Sequence, residues 1–162
     1  MKRRLILPLL AFSSAAALAQ PGYVYSGDLN GDGIADTIES GPVELFGNGG
    51  GPFVVSLSDA RGGFVRRQIE LHPAAVALDH AEGHARLWTY WRSSSSGGML
   101  GVTTLDDRFE TRSVRLDFGA DPESPTLSRE LYRSIFRAPH RIEFERVENH
   151  VPPPAVSGEW GK

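Results

Sequence analysis

The chain has 162 residues, a length that favours a single domain. It contains 17 Lys and Arg residues against 20 Asp and Glu residues, and its formal net charge is −3. An acidic chain is a poor candidate for nucleic-acid binding, because that affinity comes largely from Lys and Arg on phosphates. The absence of cysteine excludes disulfides and a lipid-modified cysteine at the N-terminus.

The first 19 residues have the pattern of a secretory signal peptide. A basic start, "KRR", precedes an apolar run over residues 5–18, and "ALA" at 17–19 fits a small-x-small cleavage site. A membrane anchor is the alternative, but the run is short for a span and Pro8 interrupts it. We therefore expect a signal peptide at 1–19 and a mature domain that is periplasmic or secreted and has no membrane span.

Short apolar runs separated by turn residues predict β-strands over most of the mature chain. "PFVVSLS" (52–58) and "FVRRQIEL" (64–71) form a predicted hairpin around the turn "DARGG". Three later segments, "HARLWTYW" (84–91), "MLGVTTL" (99–105) and "RFETRSVRLDF" (108–118), also have strand composition, and "HRIEFERVE" (140–148) is the last. The predicted fold is mainly β, an antiparallel sheet or sandwich or a propeller-like fragment.

A change of period near residue 124 predicts one C-terminal amphipathic helix that packs on the sheet. Ser124 can cap this helix and Pro125 can occupy its first position. The apolar residues at helical spacing are Leu127, Leu131 and Ile135, with Tyr132 and Phe136 beside them. A second row at the same spacing, Arg129, Arg133 and Arg137, is interpreted as a solvated face.

The end of the chain, "VPPPAVSGEWGK" (151–162), has the composition of an extended, mostly disordered tail. We therefore expect a single β domain over residues 20–150, followed by this Pro-rich tail.

The segment "GDLNGDGIADTIE" (27–39) crowds acidic and amide side chains at alternate positions, with glycines between them. A surface turn is the simpler explanation, since Asp, Asn and Gly form turns, but a turn needs fewer oxygen side chains. Calcium takes six to eight oxygen ligands, which a short loop supplies at odd positions. The predicted cofactor is Ca²⁺, bound by the side chains of Asp28, Asn30, Asp32 and Asp36 and by the backbone carbonyl of Ile34.

Glu39 decides between two kinds of calcium loop. It stands at position twelve, where an EF-hand has its bidentate ligand, but the flanking segments have strand composition. The loop resembles that of FG-GAP and VCBS-type repeats, in which a D-x-[DN]-x-D-G-x-x-D run joins two strands, and "LFGNGGGPF" after it is similar to their continuation. That resemblance implies that Glu39 is a strand residue and not a ligand; both alternatives stay open here.

The segment "WTYWRSSSSGGMLG" (88–101) is the second unusual stretch. It is either a simple connecting hairpin or a binding loop, in which small residues approach a partner beside aromatic and Arg side chains. The sequence has no nucleophile elbow and no carboxylate pair in a hydrolase context, so we expect no enzyme activity. The candidate partner-binding residues are Trp88, Tyr90, Arg92, Ser94, Ser95, Ser96 and Gly97.

The order of leader, calcium loop, "GNGGGPF", paired strands and a Ser/Gly-rich loop is similar to periplasmic immunity proteins that share a fold with lysozyme inhibitors. In that family the Ser/Gly loop enters the cleft of a peptidoglycan-cleaving enzyme. The leading hypothesis is an exported calcium-binding domain that binds a protein partner, or acts as a scaffold, in the cell envelope. The alternatives are an inhibitor of a lysozyme-like enzyme and a hydrolase with a calcium-ordered loop.

Overall fold

Two antiparallel sheets and one α-helix form the part of the chain that the computed structural model describes, residues 19–81, 83–119, 126–137 and 139–160. The first sheet contains β1 (Gln20–Gly27), β2 (Asp36–Ser40), β3 (Gly51–Ser58), β4 (Phe64–Leu71) and β9 (Glu145–His150), in the order β4-β3-β2-β1-β9. The second contains β5 (Val76–Ala81), β6 (His84–Arg92), β7 (Gly97–Thr104) and β8 (Thr111–Asp117), in that order. The helix is α1 (Leu127–Ile135), and a 3-10 turn covers Val43–Leu45. The prediction of a mainly β fold with one C-terminal helix is confirmed.

The main core lies between the two sheets. Ile38 of β2 and Phe53 of β3 are fully buried, and they pack in one cluster with Val76 and Leu87 from the second sheet. Because successive strand residues alternate between faces, these positions lie on one side of each sheet. The architecture is therefore a β-sandwich. This was one of the predicted alternatives, and the propeller-like fragment was another.

The C-terminal segment covers part of the outer face of the first sheet. Val54 points to that face, yet it is fully buried. Arg66 donates a hydrogen bond of 2.7 Å from its guanidinium to the carbonyl of Pro154, and the ring of Trp160 lies against Gly41. Residues 151–160 contain no helix or strand, and they contact the sheet at these points.

Helix α1 packs on the outer face of the second sheet through aromatic side chains. Tyr132 and Phe136 belong to a second cluster with Tyr90 of β6, whereas Leu127 is 83% exposed and Leu131 is 39% exposed. The buried face therefore differs from the leucine row that the sequence indicated. The N-cap is Thr126, whose side chain accepts from the amide of Arg129, and the predicted Ser124 and Pro125 lie outside the described residues.

The predicted signal peptide lies, except for its last residue, outside the described residues. In the part of the chain that is described, no helix combines the length and the apolar character that a membrane span requires.

Candidate metal loop and partner-binding cleft

The acidic loop joins two neighbouring strands of the first sheet. β1 ends at Gly27, which pairs with Asp36 at the start of β2. The loop therefore lies at one end of a β-hairpin, and the flanking strands predicted from the sequence are confirmed. An EF-hand would need helices at both of these positions.

Asp28 organises the loop. One oxygen of its carboxylate accepts from the amides of Gly31 (2.7 Å) and Asp32 (3.1 Å), and the other accepts from Gly33 (2.8 Å). Gly31 and Gly33 adopt φ of 85° and 82°, the left-handed region in which glycine is favoured. The hydrogen bond from Gly33, reinforced by those from Gly31 and Asp32, holds the pKa of Asp28 below its usual value. The loop thus closes around a carboxylate that is ionised at neutral pH.

Asn30 and Asp32 lie beside this carboxylate in the same loop. The amide group of Asn30 donates to Asp32 (3.2 Å), and Asp32 also accepts from the backbone amide of Ile34 (2.8 Å). A carboxylate offers about four acceptor positions, and Asp28 uses three of them for backbone amides. About one acceptor position of Asp28 thus stays open. The side-chain oxygens of Asp28, Asn30 and Asp32 are hard ligands of the kind that calcium prefers.

Asp36 has a structural role that the sequence did not indicate. Its side chain is fully buried, and its two oxygens accept from the amides of Leu29 (2.9 Å) and Ser58 (2.8 Å). It thus fastens the loop to the end of β3. Among the described residues no three His, Cys, Asp or Glu side chains gather as a metal-binding group, and calcium ligation by Asp36 stays a prediction.

Glu39 lies within β2, three residues after Asp36, and accepts a 3.4 Å hydrogen bond from the hydroxyl of Thr37. Side chains three positions apart on a strand emerge on opposite faces of the sheet. Glu39 therefore points away from the side on which Asp36 lies. Calcium ligation by Glu39 stays a prediction, and its position within β2 favours the strand-flanked kind of loop over an EF-hand.

The second sheet brings His80 of β5 beside the loop, a neighbour that the sequence prediction missed. A Cβ added to Gly31 would lie 3.6 Å from the Nε2 atom of His80. His80 makes a small further contribution to the lowered pKa of Asp28. No spacing in the sequence could reveal this contact, because the loop follows β1 of the first sheet whereas His80 lies in β5 of the second.

The Ser/Gly-rich stretch forms a braced hairpin turn between β6 and β7. The guanidinium of Arg92 donates to the carbonyls of Ser94 (2.8 Å) and Ser95 (3.0 Å), and the amide of Phe118 donates to the carbonyl of Ser96 (2.7 Å). Ser94 also donates from its hydroxyl to the carbonyl of Gly97 (3.3 Å). The turn is therefore held in place by its own side chains and by the end of β8.

An open cleft of about 570 Å³ separates this turn from helix α1. We call it the hairpin cleft. Its hairpin side is lined by Arg92, Ser95 and Gly97, and its helix side by Arg129, Tyr132 and Arg133. With Tyr90, which also borders the cleft, the structure thus joins four of the predicted partner-binding residues to a helix that begins at Leu127, far from them in the chain.

Three of the predicted contact residues have mainly structural roles. Tyr90 is 8% exposed and its ring packs against Phe118 and Tyr132, so it forms the floor of the cleft. Trp88 lies outside the cleft and donates from its indole to Asp79 (3.0 Å). A Cβ on Gly97 would overlap the carbonyl oxygen of Leu116, so glycine is needed there for close strand packing. Partner contacts of Trp88 and Tyr90 stay a prediction, and of the two only Tyr90 borders the hairpin cleft.

The arginine row of α1 does not form one solvated face. Arg129 is half-buried and donates to the carbonyl of Phe118 (2.6 Å), and Arg133 lines the hairpin cleft with it. Only Arg137, beyond the end of the helix, is exposed away from the cleft. Spacing showed that these side chains share a helix face, but not that the face borders the hairpin.

A comparison of the chain with protein-family models, with curated proteins and with solved structures found no match.

Proposed function

We propose that this chain is an exported calcium-binding β-sandwich that binds a protein partner in the cell envelope through the hairpin cleft. The observation that carries the proposal is the convergence of Arg92 and Ser95 from the hairpin with Arg129 and Arg133 from α1 around one open cleft. Export is supported by the leader-like composition of residues 1–19. The proposed role is binding and not catalysis.

Partner binding is supported by the ordered backbone of the hairpin turn that borders the cleft. Its backbone is braced, because Arg92 bonds the turn and Phe118 bonds Ser96. A surface that is ordered before association loses less conformational entropy when a partner binds. Arg and Tyr, which border the cleft, are residue types that often supply the binding energy of protein interfaces.

In the same proposal Asp28, Asn30, Asp32 and the carbonyl of Ile34 hold the calcium ion, with Asp36 beneath them. The ion would neutralise the acidic side chains of the loop and would stabilise the folded state, because it binds that state alone. The loop occupies one end of the β1–β2 hairpin, so the proposed role of the ion is structural.

The calcium proposal is tested by thermal unfolding with calcium, with magnesium and with a chelator. Calcium at about a hundred times its dissociation constant should stabilise the protein by about 2.7 kcal/mol, and magnesium should stabilise it less. Asp32→Ala should abolish this response. Asp59→Ala is the matched control, since Asp59 also accepts backbone amides, from Arg61 (2.7 Å) and Gly63 (2.9 Å), but lies in the β3–β4 turn.

Glu39→Ala should keep the calcium response, because Glu39 lies on the opposite face of β2 from Asp36. An unchanged melting temperature on addition of chelator, or equal losses in Asp32→Ala and Asp59→Ala, would contradict the calcium proposal.

Partner binding is tested by immobilising the protein and capturing envelope proteins. Ser95 is exposed at the cleft, so Ser95→Tyr should leave the melting temperature nearly unchanged and remove the specifically captured protein. Ser113→Tyr is the control, since Ser113 is exposed on β8 and does not line the cleft. Capture that both variants retain, or that neither the wild type nor the variants show, would exclude the hairpin cleft as the partner site.

The second candidate function, inhibition of a peptidoglycan-cleaving enzyme, is favoured by the shape of the turn. Ser93, Ser94 and Ser95 are exposed and carry small side chains at the end of two long strands, so the turn can enter a narrow cleft. Assays of lysozyme-type enzymes in the presence of the purified protein test this candidate. Inhibition that Ser95→Tyr removes would select it over a scaffold role.

A further inference from the structure

The hairpin cleft concentrates positive charge. Arg129 and Arg133 stand four residues apart on α1, so they project from one face of the helix toward the hairpin. Arg92 approaches from the end of β6 on the other side. Three guanidinium groups from two separate elements therefore border one cleft of about 570 Å³.

This concentration does not reflect a generally basic chain, because the formal net charge is −3. Three of the 17 basic residues border a single cleft of an acidic protein. Like charges that gather in this way repel one another, and an anionic ligand would relieve the repulsion. The charged side chains among the described lining residues are thus all positive, whereas the whole chain is acidic.

The protein orients these groups without neutralising all of them. Arg92 donates to the carbonyls of Ser94 and Ser95, and carbonyl dipoles fix a guanidinium but leave its full charge. Among the described residues, neither Arg92 nor Arg133 forms a salt bridge. Arg133 is exposed, so its charge faces the solution at the mouth of the cleft.

Among the described residues that line the cleft, none carries a negative charge. Burial raises the pKa of the phenols of Tyr90 and Tyr132, which are therefore neutral at physiological pH. Their rings pack 5.0 Å apart, edge to face, and form an apolar floor. Charge interactions are stronger beside such a surface than in open water.

We propose that the hairpin cleft binds an acidic segment of a protein partner, with Asp or Glu carboxylates of that segment between Arg92 and Arg133. The planar fork of a guanidinium matches a carboxylate with two parallel hydrogen bonds. This inference rests on the proposed function, in which the cleft is the partner-binding surface, and it adds the chemistry that the partner must present.

The test uses a fluorescently labelled peptide of six glutamates with blocked ends, titrated with the full-length mature protein at low ionic strength. The matched peptide of six glutamines measures binding without charge. Wild type should bind the glutamate peptide and not the glutamine peptide, and added salt should weaken the complex. Arg133→Gln should weaken binding about fivefold, because one exposed charge pair is lost.

Arg137→Gln is the matched control, because it removes the same charge from the same arginine row outside the cleft. It should bind the glutamate peptide as the wild type does. Equal weakening by Arg133→Gln and Arg137→Gln would overturn the inference, as would failure of the wild type to bind. Binding of inorganic phosphate or anionic lipid vesicles in place of the glutamate peptide would overturn it as well.

Failure of the inference can be separated from failure of the proposed function. Capture of a partner that depends on Ser95, but resists excess glutamate peptide and Arg133→Gln, would overturn the acidic-segment inference and leave the cleft as the partner site. Loss of specific capture in the wild type would contradict the proposed function itself.

Discussion

Asp36→Ala is expected to lower the free energy of unfolding by about 2–6 kcal/mol even when calcium is absent. The substitution removes the acceptor of the Leu29 amide, which is buried, and that of the Ser58 amide, which is partly buried. A buried donor left without a partner costs about 1–3 kcal/mol, and two are affected here. Urea unfolding in the presence of a chelator measures this effect separately from any contribution of the ion.

Two variants serve as controls for Asp36→Ala. Asp36→Asn keeps one carbonyl acceptor and should recover roughly half of the loss. Asp28→Ala removes three hydrogen bonds at an exposed position, where water can replace the carboxylate, so it should cost less under chelation. If Asp36→Ala unfolds like the wild type in chelator and is weaker only with calcium, Asp36 acts through the ion and not through the two amides.

The acidic loop shows what the sequence could and could not predict. Alternation of oxygen side chains and glycines predicted a loop between strands, and the structure contains that loop with positive φ at Gly31 and Gly33. The same alternation assigned one role to Asp28 and Asp36, which have opposite environments. Burial of Asp36 depends on β3, whose Ser58 lies 22 residues further along the chain. A local sequence pattern cannot predict a contact between residues that far apart.

The strands were predicted best where a clear hairpin turn separates two apolar runs. β3 and β4 occur as predicted, whereas the last strand covers Glu145–His150 instead of residues 140–148. Backbone bonds between residues 140–142 and β5 hold the first part of that segment at the other sheet. This division depends on the pairing of β9 with β1, which no local periodicity specifies.

The helix illustrates the same limit. Its existence and its approximate position followed from the apolar period, but the period fits both the leucine row and the aromatic row. The outer face of the second sheet decides between them, because Tyr90 and Phe118 provide aromatic partners there. Because the aromatic row docks there, Arg129 and Arg133 border the hairpin cleft. The sequence alone does not show which row docks, so it did not show that these arginines leave the solvated face.

Tyr132→Ala is therefore expected to lower the free energy of unfolding by about 3 kcal/mol. The ring of Tyr132 lies 5.0 Å from that of Tyr90, 5.8 Å from Phe118 and 4.8 Å from Phe136, measured between centroids. Truncation of a buried aromatic residue costs about 3–5 kcal/mol, and the partial burial of Tyr132 favours the lower end. Urea unfolding measures the loss.

Leu131→Ala is the matched control for Tyr132→Ala, since Leu131 is the neighbouring apolar residue of α1 and is 39% exposed. It should cost less than about 1 kcal/mol. Tyr132→Ala should also weaken binding of the glutamate peptide without removing a charge, because the ring forms part of the helix side of the hairpin cleft. Equal costs of the two substitutions would contradict the docking of α1 through its aromatic row. Arg129 and Arg133 would then face the solvent and would not border the hairpin cleft.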